Sequence, residues 1–449
     1  MRVAEHGGKI YLDLGASTWS AVEISAEGWT LAANPPVKFV RSRGMRPLPH
    51  PVLGGDINDL QTFLNIADQE WPLALTWILA CYRREGPFPI LILNGEQGSC
   101  KSSTSAILRS LVDPNGANLR SGPRDERDLF ISASNSWVIT LDNLSHLPDW
   151  LSDALCRLAT GGGFSTRQLY RDLDETIIDV QRPIILNGIA EFATRGDLLD
   201  RSIVISLPTL AAEKRRDEAE FRSAFDSAKA KIFGALLHVL SRALGELPHV
   251  RLPRKPRMAD FALFGVAVER AIGWPPGTFI TAYETNRAAA NSSAVEASPV
   301  ALAIQALVAE EGAFENTATE LLRELAVHAE DQAKSHRGWP DSGWKLSRIL
   351  RRLAPNLRAS GVEVIIGNRT PDHKRSRIIR IGRTASAASA ASVSPENQPI
   401  TRTQSDASTS PSDGALQPCP RSSSTITCAT DAPDASDAST RASVLRGEI

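Results

Sequence analysis

The sequence is poor in cysteine. Only Cys81, Cys100, Cys156, Cys419 and Cys428 occur in 449 residues, and no two stand at the spacing of a zinc site or a disulfide framework. That scarcity excludes a small disulfide-stapled secreted scaffold and fits a reducing cytoplasm. Long apolar runs are missing too. The longest, residues 71–82, contains Pro72 and is too short to span a bilayer. The opening MRVAEHGGKIYLDLG is polar and then strand-like, unlike a signal peptide, so a cytoplasmic setting with no membrane partner is expected. Net charge is nearly absent: 50 Lys and Arg stand against 51 Asp and Glu. A uniformly basic nucleic-acid binder is thereby excluded, and any DNA-binding surface must be local.

A hydrophobic fraction of 42% over this length is enough for two or three domains. Residues 1–88 read as an accessory region, with short strands at 9–14, 19–24 and 37–40 and then two helices broken near Trp71-Pro72. Residues 89–210 alternate buried strands with helices, the mark of an α/β sheet. Residues 211–297 read as a helical lid carrying a basic cluster at 251–257. In residues 298–383, one amphipathic helix is followed by a second, with Thr317 as N-cap and Glu320 three residues on. A third helix at 342–357 and a hairpin of strands at 362–366 and 377–381 complete the order of a small α+β winged helix. Residues 384–449 contain no aromatic residue and are rich in Ser, Thr, Ala, Pro and Asp, so a disordered tail is expected.

The clearest chemistry lies after the apolar strand Pro89-Ile-Leu-Ile-Leu-Asn94. There Gly95-Glu96-Gln97-Gly98-Ser99-Cys100-Lys101-Ser102-Ser103 leads into a helix. Strand, glycine-rich turn and helix in that order form a phosphate loop, whose backbone N–H groups cradle α- and β-phosphates. Lys101 would reach the β/γ oxygens, and the Ser102 hydroxyl would bind Mg²⁺ beside ATP. Cys100 departs from the usual motif, which has glycine there. It is tolerable if Gly98 takes the demanding backbone conformation, and it is open to reading as a reactive thiol or as a merely accepted small residue.

Two further strands complete the set. Trp137-Val-Ile-Thr-Leu-Asp142-Asn143 places Asp142 to hold the metal. Asn143 occupies the position where a second acid often polarises the attacking water, and an amide cannot take its proton. A base would then come from elsewhere, with Glu96 the alternative. Arg182-Pro-Ile-Ile-Leu-Asn187 ends in a candidate γ-phosphate sensor, and Asp197-Leu-Leu-Asp200-Arg201 offers Arg201 as an arginine finger, with Arg195 as competitor. Between these strands the glycine-led stretch GGGFSTRQLYR presents Arg167 and Arg171 to phosphates and Tyr170 to a base, or else to a neighbouring subunit.

The third helix of the C-terminal region carries Lys345, Arg348, Arg351 and Arg352 beside an apolar face, and the hairpin adds Lys374, Arg375, Arg377 and Arg380. Residues 334–383 hold thirteen Lys or Arg against three Asp or Glu, a net of +10. Such a footprint suits a DNA backbone, with the third helix in the major groove. Trp339 and Trp344 are read as core or rim packing rather than base stackers.

Together NGEQGSCKSS, ITLDNLS, GGGFSTRQLY, RPIILNGI and DLLDRSI resemble the helicase part of phage and plasmid primase-helicases, of the superfamily 3 or virulence-associated type. The resemblance is close over about residues 85–210 and looser beyond. It implies an AAA+-like P-loop ATPase core, a homo-oligomeric ring such as a hexamer, and single-stranded DNA in a pore lined by the loop before the sensor strand. Duplex DNA would lie at the winged helix. No primase-like metal motif occurs in residues 1–88, so priming activity is not implied, and whether a separate primase is a partner stays open. The expected function is an ATP-dependent DNA helicase-like motor of a mobile element's replication module. The alternative is a nucleotide-gated DNA-binding and assembly protein with little turnover, which Asn143 favours.

Overall fold

The computed structural model describes residues 1–167, 175–188, 192–210, 217–335, 338–369 and 377–384. At the N-terminus β1 (Val3–His6), β2 (Lys9–Asp13), β3 (Ala21–Ser25) and β4 (Gly28–Ala32) form an antiparallel meander in chain order. Gly7 and Gly8, at φ +58° and +73°, make the tight turn that pairs His6 with Lys9. Strands β1 and β4 were not expected, and residues 37–40 form none. After Pro35-Pro36 that segment does not pair; Phe39 packs with Tyr11 and Ala21 instead.

Arg2, 1% exposed, ties the meander to the body of the protein. Its Nε lies 3.3 Å from Asp113 Oδ1, while Nη1 and Nη2 donate to the carbonyls of Asp13 (2.8 Å) and Arg46 (2.7 Å). A charge buried this deeply is tolerable because its donors meet acceptors on several sides.

Next come α1 (Asn58–Gln61) and α2 (Trp71–Ala80). Pro72 sits in the first turn of α2, where its missing N–H costs nothing, and all ten α2 residues are buried. The central body then runs β5 (Ile90–Asn94), α3 (Lys101–Val112), α4 (Glu126–Asn135), β6 (Ile139–Leu144) and α5 (Asp149–Thr160). A two-stranded antiparallel ribbon follows, β7 (Gly163–Arg167) with β8 (Glu175–Asp179). Strand β9 (Ile184–Gly188), the short α6 (Gly196–Leu199) and β10 (Ser202–Ser206) complete it.

The main sheet is parallel, in the order β10-β5-β9-β6, and the protein is mixed α/β as expected. Its strands are continuous apolar runs because helices cover both faces. Both sheet edges are satisfied by other groups. On β10, Val204 N–H donates to Asn286 Oδ1 (3.1 Å), Asn286 Nδ2 donates to Val204 O (2.6 Å), and Ser206 N–H donates to Glu70 Oε1 (3.3 Å). Beside β6, Arg120 supplies a single bridge to Leu141.

Three helices follow: α7 (Glu218–Glu246), α8 (Ala259–Ile272) and α9 (Thr278–Glu296), with the basic stretch 251–257 outside any helix. Helix α7 lies along the meander, with Ser241 Oγ donating to Ser25 O at 2.7 Å. Among the described residues no single helix is long and apolar enough to cross a membrane.

The C-terminal region runs α10 (Pro299–Glu311), β11 (Ala313–Thr317), α11 (Ala318–His328), α12 (Asp331–Ser335), α13 (Gly343–Ala359), β12 (Val362–Arg369) and β13 (Arg377–Arg383). Thr317 and Ser342 cap α11 and α13, each accepting from the N–H three residues on. The expected hairpin is a three-stranded sheet, β11-β13-β12. Strand β11 escaped the pattern because Ala-Phe-Glu-Asn-Thr is short and mostly exposed. Helix α13 also docks on the central body. Buried Asn356 donates to Asn291 Oδ1 (2.9 Å) and lies so close to Gly196 that a Cβ there would fall 2.1 Å from Asn356 Oδ1.

Candidate functional site

The turn between β5 and α3 is shaped by positive φ angles. Gly95 has φ +150°, and a Cβ on it would fall 2.6 Å from Ser99 Oγ and 2.7 Å from Leu207 O. Gly98 follows at φ +84° and Cys100 at φ +63°. The demanding conformation is therefore not borne by Gly98 alone, since a side chain sits in left-handed space one residue before Lys101. Cys100 caps α3 with no side-chain hydrogen bond to the first-turn amides. Those amides and the helix dipole make the turn suitable for an anion.

Lys101 folds back over this turn. Its Nζ donates to Gly95 O and Glu96 O, both at 2.7 Å, and lies 3.3 Å from Ser99 Oγ. Burial lowers its pKa, opposed by the Asp142 carboxylate. Ser102 Oγ donates to Asp142 Oδ1 at 2.8 Å, so the hydroxyl from α3 and the acid from β6 meet at one point. A hydroxyl and a carboxylate form an all-oxygen pair, the donor type a hard divalent cation such as Mg²⁺ takes. Gln97 and Ser103 are exposed, and Thr209 Oγ1 holds the Glu96 carboxylate at 3.1 Å.

Asn187, 1% exposed on β9, lies between the two. Its Oδ1 accepts from Asn143 N–H (2.9 Å), and its Nδ2 donates to Ser105 Oγ on α3 (2.8 Å). One amide thus ties β6 to α3 across the middle strand. Asn143 adopts φ +57° with its side chain exposed.

The two arginines differ. Arg195 is held by Asp149, Asp153 and Asp197 at 3.4, 2.7 and 2.9 Å. Arg201 Nη1 donates to the Asp197 carbonyl at 2.7 Å, and no ion pair is seen for it among the described residues. Asp200 beside it is occupied by Arg257 (2.8 Å) and by Arg287.

Of the candidate DNA residues, Lys345, Arg348, Arg352 and Arg377 are exposed. Lys345 pairs with Asp341 (2.6 Å), and Arg352 reaches Asp149 at 4.0 Å. Arg167 ends β7 on the ribbon, whereas Tyr170, Arg171, Lys374 and Arg375 fall outside the described residues, as does the expected tail from residue 385. Trp339 packs on the C-terminal core as expected, but Trp344 does not: it is 70% exposed, with the Arg348 guanidinium 5.4 Å from its ring centre. The apolar face of α13 is filled by Leu346, Leu350 and Leu357, which leaves Trp344 on the outer side.

Sequence reasoning missed two contributors. Asn65 Nδ2 donates to Ser99 O (3.1 Å) and Pro208 O (2.6 Å), fastening the glycine-rich turn to the chain beyond β10. Ser105 supports Asn187 from below. Neither leaves a spacing signature, since each is a single polar residue bonded to distant partners.

Fold and site together define a mixed α/β protein in which a glycine-rich turn, a lysine, a serine and an aspartate converge at one end of a parallel sheet. The family model "Actinomycete integrative conjugative element replication protein" matches residues 57–289, more than half of the chain, and the chain belongs to that family. The model of the AICE RepA C-terminal domain matches residues 300–397. None of the curated proteins matches. Among solved structures, the apo NrS-1 C terminal region is similar at 14% identity and a TM-score of 0.37, over 77% of this chain and 79% of that one. The JCV helicase has 13% identity and a TM-score of 0.23, over 53% and 70%. The Thermotoga maritima RuvB Holliday junction branch migration motor has 13% identity and a TM-score of 0.22, over 74% and 96%. At such loose superposition the chemistry must be read from this chain's own residues.

Proposed function

We propose that this replication protein is an ATP-driven, helicase-like DNA motor with an AAA+-like P-loop core of the superfamily 3 type. The observation that carries the reading is the meeting of Ser102 and Asp142 at 2.8 Å beside the Lys101 turn. The amides of residues 95–103 bind the phosphates, and Lys101 exchanges its carbonyl partners for β/γ oxygens. Ser102 and Asp142 would hold Mg²⁺, which when bound neutralises charge on the phosphate oxygens. Asn187 positions Asn143 against α3 and senses the γ-phosphate from the same corner. Arg201, freer than Arg195, serves a neighbouring subunit of a ring as its arginine finger.

Residues 298–383 act as a winged helix on duplex DNA, through Lys345, Arg348, Arg352 and the β12–β13 hairpin. The glycine-led stretch of residues 161–171, with Arg167, Tyr170 and Arg171, contacts single-stranded DNA in the ring. The lid is formed by residues 211–297. A separate primase is a fitting partner for such a motor.

A second reading is favoured by Asn143. Its exposed amide cannot act as a base, so nucleotide binding would drive assembly on DNA with little turnover. One assay separates the two. ATP hydrolysis with and without single-stranded DNA is measured on wild type, Lys101→Ala and Asn143→Asp. The motor predicts DNA-stimulated turnover that Lys101→Ala lowers by about 100-fold or more. Assembly on DNA with ATP but no turnover would replace the motor by the second reading, and a large gain in Asn143→Asp would identify the missing base as the cause.

A further inference from the structure

The C-terminal region contains a cluster that the motor reading does not use. Glu310 and Glu311 end α10, where the helix already presents partial negative charge and no basic residue stands in the last turn. Directly against them lies the end of α11, with Glu324 and His328. The His328 side chain is only 7% exposed. Its Nδ1 lies 3.1 Å from Glu310 Oε2. Its Nε2 lies 3.5 Å from Glu311 Oε1 and 3.7 Å from Glu324 Oε1, and this buried nitrogen has no hydrogen-bond partner. One ligand atom each from Glu311, Glu324 and His328 lies within 4.8 Å of the others.

With Nδ1 at hydrogen-bond distance from Glu310, Nε2 is the nitrogen turned toward the Glu311 and Glu324 carboxylates. A carboxylate behind a histidine fixes its tautomer and orients it toward a metal. One nitrogen and two carboxylate oxygens, with a position left for water, form a donor set for a borderline divalent ion rather than for Mg²⁺.

We propose that His328, Glu311 and Glu324 bind a divalent transition-metal ion of the zinc class, with Glu310 orienting the imidazole. The ion clamps the end of α10 to the end of α11. Leu321 and Leu325 of α11 share a core with Leu346 and Leu350, so the clamp also fixes the support on which α13 rests.

The test uses the full chain, stripped with a chelator and free of nucleotide, and titrated with Co²⁺ and Zn²⁺. Wild type should take up one Co²⁺ with the visible absorption of a low-coordinate site. Zn²⁺ at about a hundred times its dissociation constant should raise the melting temperature by a few degrees. His328→Gln should abolish both signals. Glu324→Gln and Glu311→Gln change half-exposed positions that need not disturb folding, and each should weaken uptake at least tenfold. Glu310→Gln should weaken it by about 10- to 100-fold. Uptake by His328→Gln equal to wild type would place the metal elsewhere and overturn the proposal, as would the absence of any cobalt band in wild type.

Discussion

In the corner where β5, β9 and β6 end, the residues singled out by sequence touch one another: Lys101 its own turn, Ser102 Asp142, and Asn187 Asn143. On α13 the singled-out residues touch solvent, and at most one acid each. The first region depends on geometry, because each polar group there is satisfied by one particular partner. The second depends on summed charge, because exposed cations act through the field they create together. Single substitutions should therefore weigh heavily in the corner and lightly on the helix.

The largest effect is expected from Asn187→Ala, which leaves the Asn143 N–H and the Ser105 hydroxyl without their partner. A loss of about 2–3 kcal/mol is expected from the urea midpoint. A loss below about 0.5 kcal/mol, the size of an ordinary surface substitution, would mean that the corner is not held by geometry.

Next comes the triple change of Lys345, Arg348 and Arg352 to Ala. Duplex affinity should weaken about tenfold or more, and the slope of log affinity against log salt should become shallower by about 1 for each phosphate contact removed. Fluorescence anisotropy across a salt series reads both, with the melting temperature as control. An unchanged slope would take α13 out of the DNA interface.

The smallest effect sharpens the corner from within. Cys100→Gly relieves a left-handed side chain but adds chain entropy to the unfolded state, so a net gain of no more than about 1 kcal/mol is expected. A loss of stability in thermal denaturation would show that the Cys100 side chain makes up for its own strain.

The same contrast explains what could be read from the sequence. The buried strands of the parallel sheet announce themselves as unbroken apolar runs, and the glycine-rich turn follows directly from one of them. Strands β4 and β11 were hidden because they are short and contain no buried residue, so alternation hardly marks them. Asn65 was invisible for another reason. It works through two backbone carbonyls far apart in the chain, a relation that spacing does not encode. The outward turn of Trp344 depends on which residues of α13 fill the core, and that is settled only by packing against α11 and β12.

Gly196 joins the two regions. It opens α6, five residues before Arg201, and its bare backbone is what lets Asn356 of α13 settle against the central body. Helix α13 and the turn that leads to Arg201 thus meet at a contact with no room for a side chain. On the function proposed above, a tilt of α13 against DNA would press on α6 through this contact, and the nucleotide corner and the outer helix would be mechanically geared.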